Sequence, residues 1–123
     1  MLSGRSKQLK VLVVEDEVFV RLMAVDAIEE AGFCAVEASD ADEAITVLED
    51  RSDIDVVFSD IKMPGSIDGL ALADAIKHRW PHIFTILTSG HLTMPDLPPG
   101  TTFLQKPYRA TWLASSLEAI ANA

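Results

Sequence analysis

The chain predicts an α/β fold, a five-stranded parallel sheet with helices on both faces, and three observations predict it. Short apolar runs alternate along the chain with segments of helical periodicity. Several runs are continuous in apolar residues, as in strands buried on both faces. Three runs end in charge: Val11 to Val14 in Glu15 and Asp16, Val56 to Ser59 in Asp60, and Phe103 to Gln105 in Lys106. In one parallel sheet these ends share the carboxyl edge, where open α/β sheets place their ligand sites.

The elements follow in order. Residues 1–9 read as a polar lead and 10–123 as one domain. Lys10 to Val14 is expected as a buried strand. Val18 to Ala31 is expected as a helix with Val18, Leu22, Val25 and Ile28 on one face and Gly32 as its stop. Cys34 to Ala38 reads as a second strand. Asp40, with Glu43 three residues later, resembles a capping box opening a helix through about Glu49. Ile54 to Ser59 is continuous enough for a central strand, and Met63-Pro64-Gly65 is a turn. A third helix spans Asp68 to Arg79 and ends at Trp80-Pro81. Ile83 to Thr88 and Thr102 to Gln105 are the last strands, and Arg109 to Ala121 the closing helix. Between Gly90 and Thr101 a further helix is due, but Pro95, Pro98 and Pro99 restrict it to one turn at most.

At 123 residues the chain can bury a substantial core. Its net charge of −9 argues against nucleic-acid binding, which needs clustered Lys and Arg. No apolar stretch approaches the roughly 20 residues of a membrane span, and the polar start has no secretory segment. The one cysteine, Cys34, permits no internal disulfide and reads as a small core residue. A reducing, cytoplasmic setting is expected.

The three strand ends define the candidate site. Three carboxylates together need neutralising, and a divalent cation with the Lys106 ammonium balances them. Asp60 is expected to accept a phosphoryl group, since a carboxylate attacks a phosphorus whose oxygens are neutralised. Glu15 and Asp16 are expected to hold magnesium with Asp60 and the backbone carbonyl of Lys62, a hard-oxygen set. The bland alternatives are a turn-capping Asp60 and first-turn acids favouring a helix N-terminus. They do not explain why several buried strands end in charge side by side. Lys106 suits a dianion as a compact point charge, and Pro107 fixes its turn, with a cis Lys106–Pro107 bond expected. Ser89 would give its hydroxyl, and Gly90 and Lys62 their backbone, to phosphoryl oxygens. Phe103 would change rotamer as Ser89 moves, although an aromatic on a strand is more often plain packing. His91 reads as a solvated loop residue, and Trp80 and Trp112 as partly buried helix residues. The three histidines lack metal-ligand spacing.

In order these motifs are Val13-Val14-Glu15-Asp16, Ser59-Asp60-Ile61-Lys62-Met63-Pro64-Gly65, Asp68-Gly69-Leu70, Leu87-Thr88-Ser89-Gly90 and Lys106-Pro107-Tyr108. From Lys10 to Ala121 the chain resembles a response-regulator receiver domain, the phosphoacceptor of two-component signalling. The resemblance implies a flavodoxin-like three-layer sandwich with strand order 2-1-3-4-5 and dependence on magnesium. It implies transfer to Asp60 from a phosphohistidine on a sensor histidine kinase or histidine phosphotransfer protein. The family's switch pair maps onto Ser89 and Phe103. An unnamed downstream protein and a phosphorylation-dependent homodimer would carry the output. Two departures stand out. The loop from Met63 to Gly69 has one residue more than the family's commoner form. The proline-rich segment 91–100 takes the place of the family's fourth helix, part of the face its members use to dimerise or bind targets. The chain ends soon after its last helix, so it is expected to be a stand-alone receiver or a piece of a longer protein.

Two other functions compete. A phosphorylation-independent binding module would have lost an acidic residue or Lys106, and neither is lost. An aspartyl-phosphate hydrolase usually carries a second acid two residues after its nucleophile, where this chain has Lys62. The expectation is a phosphoacceptor and not a turnover enzyme.

Overall fold

A computed structural model of the chain describes residues 8–90 and 96–123. The elements are β1 (Lys10–Val14), α1 (Val18–Glu30), β2 (Cys34–Ala38), α2 (Ala41–Asp50), β3 (Val56–Asp60), α3 (Gly69–Arg79), β4 (Phe84–Ser89), β5 (Thr101–Gln105) and α4 (Ala110–Ala121). All strand pairs are parallel, as the alternating pattern implied, and the sheet order is β2-β1-β3-β4-β5, as the family resemblance implied.

Alternation along the strands builds one core on each face of the sheet. Val11 and Val13 of β1 join Val56, Phe58 and Ile86 under Ala24 and Ile28 of α1 and Leu113 and Leu117 of α4. Leu12, Val14 and Val57 point the other way, onto Ala41, Ala44 and Leu48 of α2 and Leu72 and Ile76 of α3. β3 is the central strand and is buried along its whole length. Among the described residues no helix is long and apolar enough to cross a membrane.

Local signals set the helix ends. The Asp40 side chain accepts the Glu43 amide at 2.8 Å, and Glu43 reaches back to the Ser39 amide at 2.6 Å, so a capping box opens α2. Asp68 caps α3 through the Ala71 amide at 2.9 Å. Observed limits differ from the expected ones by one or two residues, most at β3, which starts at Val56 instead of Ile54 and runs on to include Asp60.

The expected buried face of α1 is corrected. Val18 and Leu22 are 52% and 44% exposed, and the face turned to the sheet is that of Ala24 and Ile28, with Val25 and Ala27 at its margin. Apolar residues surround the first turns of α1, so periodicity could not choose the face. Trp112 is half exposed and Trp80 partly buried. Between β4 and β5 the residues 96–100 contain no helix. Leu97 packs there against the cluster of Ile61, Ala73 and Leu87. His91 and Pro95, singled out in the sequence, lie outside the described residues.

α3 starts directly beneath the end of β3. A Cβ on Gly69 would enter the van der Waals shell of the Asp60 carbonyl and stand 2.8 Å from Ile61 Cα. The Gly69 amide donates to the Ile61 carbonyl at 2.8 Å. Alanine favours a helix interior over glycine by about 1 kcal/mol, yet overpacking here costs roughly 1–3 kcal/mol. Gly69→Ala is therefore expected to lower the urea midpoint, and a raised midpoint would refute this packing argument.

Candidate functional site

The parallel sheet delivers the charged strand ends to one edge. Glu15 follows β1, Asp60 ends β3 and Lys106 follows β5. Glu15 and Asp60 are buried, at 5% and 8% exposure, whereas Asp16 is exposed. The Lys106 Nζ lies 3.0 Å from Asp60 Oδ2 and 3.2 Å from Glu15 Oε1. The second Glu15 oxygen accepts the Glu17 amide at 3.1 Å. One oxygen from each of Glu15, Asp16 and Asp60 can be chosen so that all three lie within 4.8 Å of one another.

The electrostatics of this corner are unbalanced. Three carboxylates against one ammonium leave a formal excess of two negative charges. Burial raises the Glu15 carboxyl above its ordinary value, and the charge of Asp60 adds to this, against lowering by the Glu17 amide and by Lys106. Burial pulls the Lys106 ammonium down, but the hydrogen bond and charge of Asp60, then Glu15, outweigh it, and the net shift is upward. The donor set is all oxygen and anionic, which suits a small hard divalent cation such as magnesium. Carboxylate, amide and ammonium groups here can also surround a dianion whose charge a cation shares.

The remaining expected residues gather around this corner. Ser89 is buried at the end of β4, opposite Gln105 in the β4–β5 ladder, and Gly90 follows it. The Lys106–Pro107 bond is cis, as expected. Thr88 stands opposite Asp60 in the ladder, and among the described residues its buried hydroxyl has no hydrogen-bond partner. Lys62 lies two residues past Asp60 with an exposed side chain. Phe103 is half-buried beside Leu87, against the cluster that Leu97 also covers.

Three neighbours of the site were given no role by the sequence. Arg21 of α1 donates from Nη1 to the Glu15 carbonyl at 2.8 Å and from Nε to Glu37 Oε1 at 2.9 Å, with its side chain only 16% exposed. A cation five residues after an acidic pair, on an apolar helix, was the available signal. Gln105 donates to the Ser89 carbonyl at 3.2 Å, tying β4 to the turn that carries Lys106. Tyr108 meets the Phe58 ring edge-on at 5.5 Å. With Val20, Met23 and Ala27 it lines a groove of about 510 Å³ whose wall includes Gly90 and Lys106.

Arg21→Ala leaves the Glu15 carbonyl without its charged donor. It is expected to cost about 1–3 kcal/mol in urea denaturation. Glu15→Gln should act oppositely in metal-free buffer at neutral pH, raising the melting temperature by removing a charge the fold disfavours. That gain should fade as pH falls through the carboxylate range, because wild-type Glu15 then takes up a proton and loses its penalty. A gain that grew on acidification would contradict the burial argument.

Comparison with known proteins agrees with this fold. The family model for the response regulator receiver domain matches residues 11–118. The chain is 33% identical over 114 residues to the sensor kinase CckA of Brucella abortus, covering 88% of this chain and 12% of that protein. It is 32% identical over 106 residues to the nitrogen assimilation regulatory protein NtrX of Azorhizobium caulinodans, covering 81% of this chain and 23% of that one. The chain thus spans less than a quarter of the length of these curated relatives. Among solved structures it is similar to a response regulator receiver domain protein from Clostridium thermocellum. The TM-score is 0.82 at 28% identity, over 93% of this chain and 94% of that one.

Proposed function

The chain belongs to the response regulator receiver domain family, signalling modules of two-component systems, and on that premise we propose that Asp60 is its phosphoryl acceptor. One observation carries the reading. The Lys106 ammonium spans the Asp60 and Glu15 carboxylates, 3.0 Å and 3.2 Å away, beside a third carboxylate from Asp16. Family members bind magnesium in such an acidic pocket, and the oxygen donors of Glu15, Asp16 and Asp60 fit that ion. The Lys62 carbonyl is the fourth protein ligand in this reading.

Phosphoryl transfer depends mainly on positioning and charge neutralisation. An Asp60 carboxylate oxygen attacks the phosphorus of a phosphohistidine in line. The phosphorus–nitrogen bond breaks, its electrons return to the imidazole, and that ring takes up a proton. A bound magnesium ion supplies positive charge to the phosphoryl oxygens. Lys106 leaves its ion pair with the Asp60 oxygen and follows the new negative charge. Ser89 and Gly90 donate to the phosphoryl group, and Phe103 follows the loop after β4. The donor is a histidine kinase or phosphotransfer protein, and the modified surface selects a downstream protein or a second copy. The segment 10–123 is the receiver unit, and it acts as a signal carrier without turnover of its own.

Incubation with magnesium and a small phosphodonor, followed by intact mass measurement, tests the first step. Wild type should gain one phosphoryl group, Asp60→Asn should gain none, and Lys106→Ala should label at least roughly tenfold more slowly, a barrier increase of about 1.4 kcal/mol or more. Absence of labelling on wild type, or full labelling of Asp60→Asn, would defeat the assignment and favour a phosphorylation-independent binding module.

A further inference from the structure

The seven residues between Ile61 and Gly69 form a loop one residue longer than the family's commoner pattern, and it carries Lys62. Its two ends are fixed. The Ile61 amide donates to the Thr88 carbonyl at 2.9 Å, and the Gly69 amide to the Ile61 carbonyl at 2.8 Å. Within it, Met63 and Ile67 are partly buried against the core of α2 and α3. The tip, Pro64-Gly65-Ser66, is exposed.

That tip is held by one side chain. Asp42, in the first turn of α2, accepts the Ser66 hydroxyl on Oδ1 at 2.6 Å and the Ser66 amide on Oδ2 at 3.3 Å. These two bonds hold its carboxyl below the usual range, Ser66 acting first through the hydroxyl and then through the amide. Gly65 takes a φ of +118°, and a Cβ there would lie 3.3 Å from Asp42 Oδ2. The loop therefore approaches the carboxylate closely, where a side chain would be strained and crowded. Asp42 is free for this task because Asp40 and Glu43 perform the capping of α2.

We propose that Asp42 is a positioning residue: it tethers the loop tip and so restrains the Lys62 carbonyl that, in the reading above, completes the magnesium site. The inference rests on that reading. Without the tether the loop samples more conformations, and binding the ion must then order Lys62 as well, which weakens affinity. Asp42 also carries negative charge, and its removal by itself lowers the Coulomb attraction for a cation. Separate variants distinguish these causes. Ser66→Ala keeps the charge and loses the hydroxyl bond. Asp42→Asn loses the charge and keeps a carbonyl oxygen for the Ser66 hydroxyl.

Magnesium titration by calorimetry on the full chain reads the effect directly, with amide hydrogen exchange at Ser66 reporting the tether. Ser66→Ala and Asp42→Ala are expected to weaken magnesium roughly three- to tenfold, about the worth of one hydrogen bond. Asp42→Asn should keep most of the affinity, and the double alanine variant should be no weaker than the worse single one. Ser66 amide exchange should quicken in the two alanine variants, with the melting temperature near that of wild type. Wild-type affinity in Ser66→Ala, or an Asp42→Asn as weak as Asp42→Ala, would overturn the tether while leaving the receiver reading intact. A wild type that neither binds magnesium nor takes up phosphoryl would instead overturn the receiver reading, and the tether with it.

Discussion

The structure turns on an ammonium lodged between two buried carboxylates. Glu15 and Asp60 emerge from two adjacent interior strands at the sheet's carboxyl edge, and neither is well exposed to water. Buried carboxylates are costly unless paired and hydrogen-bonded. Lys106 meets both, from positions 91 and 46 residues distant in sequence. Only a parallel arrangement with β3 between β1 and β4 makes three such separate residues neighbours. Even so, one ammonium does not balance three carboxylates. Arg21, bound to the Glu15 carbonyl and to Glu37, adds a cation at the margin without entering the cluster.

What the sequence disclosed follows from how local each signal is. Continuous apolar runs and their charged ends identified every strand and the main acidic and basic groups, because strand burial and strand termini are properties of adjacent residues. The capping box at Asp40 and Glu43 was legible for the same reason. The buried face of α1 was not, since apolar residues ring its first turns and only the position of the sheet selects Ala24 and Ile28. Contacts such as Asp42 with Ser66, or Gln105 with Ser89, join residues 24 and 16 positions apart and leave no periodic trace. Asp42 reads in the sequence as one more acid in a first helical turn, a place where acids are favoured anyway.

The segment between β4 and β5 shows how a proline-rich stretch can cover a sheet. Pro98 and Pro99 lack amide donors, so the chain there needs fewer hydrogen-bond partners than an ordinary loop. Lys77 of α3 donates to the Pro99 carbonyl at 3.3 Å, and Leu97 fills the apolar position over Leu87. Among the described residues, cover over Ile61, Ala73 and Leu87 comes from Leu97 together with Leu70 and Phe103. The opposite side of the molecule differs. There α1 exposes Phe19 and Met23, at 83% and 71%, and Met23 lines the groove that reaches Lys106.

The contact at Gly69 has a mechanical meaning. With the first residue of α3 pressed against the Asp60 carbonyl, no side chain fits between the helix and the end of β3. The two behave as one stiff body, since close-packed contacts transmit displacement instead of absorbing it. A displacement of the Asp60 backbone then reaches the start of α3 with little slack to absorb it.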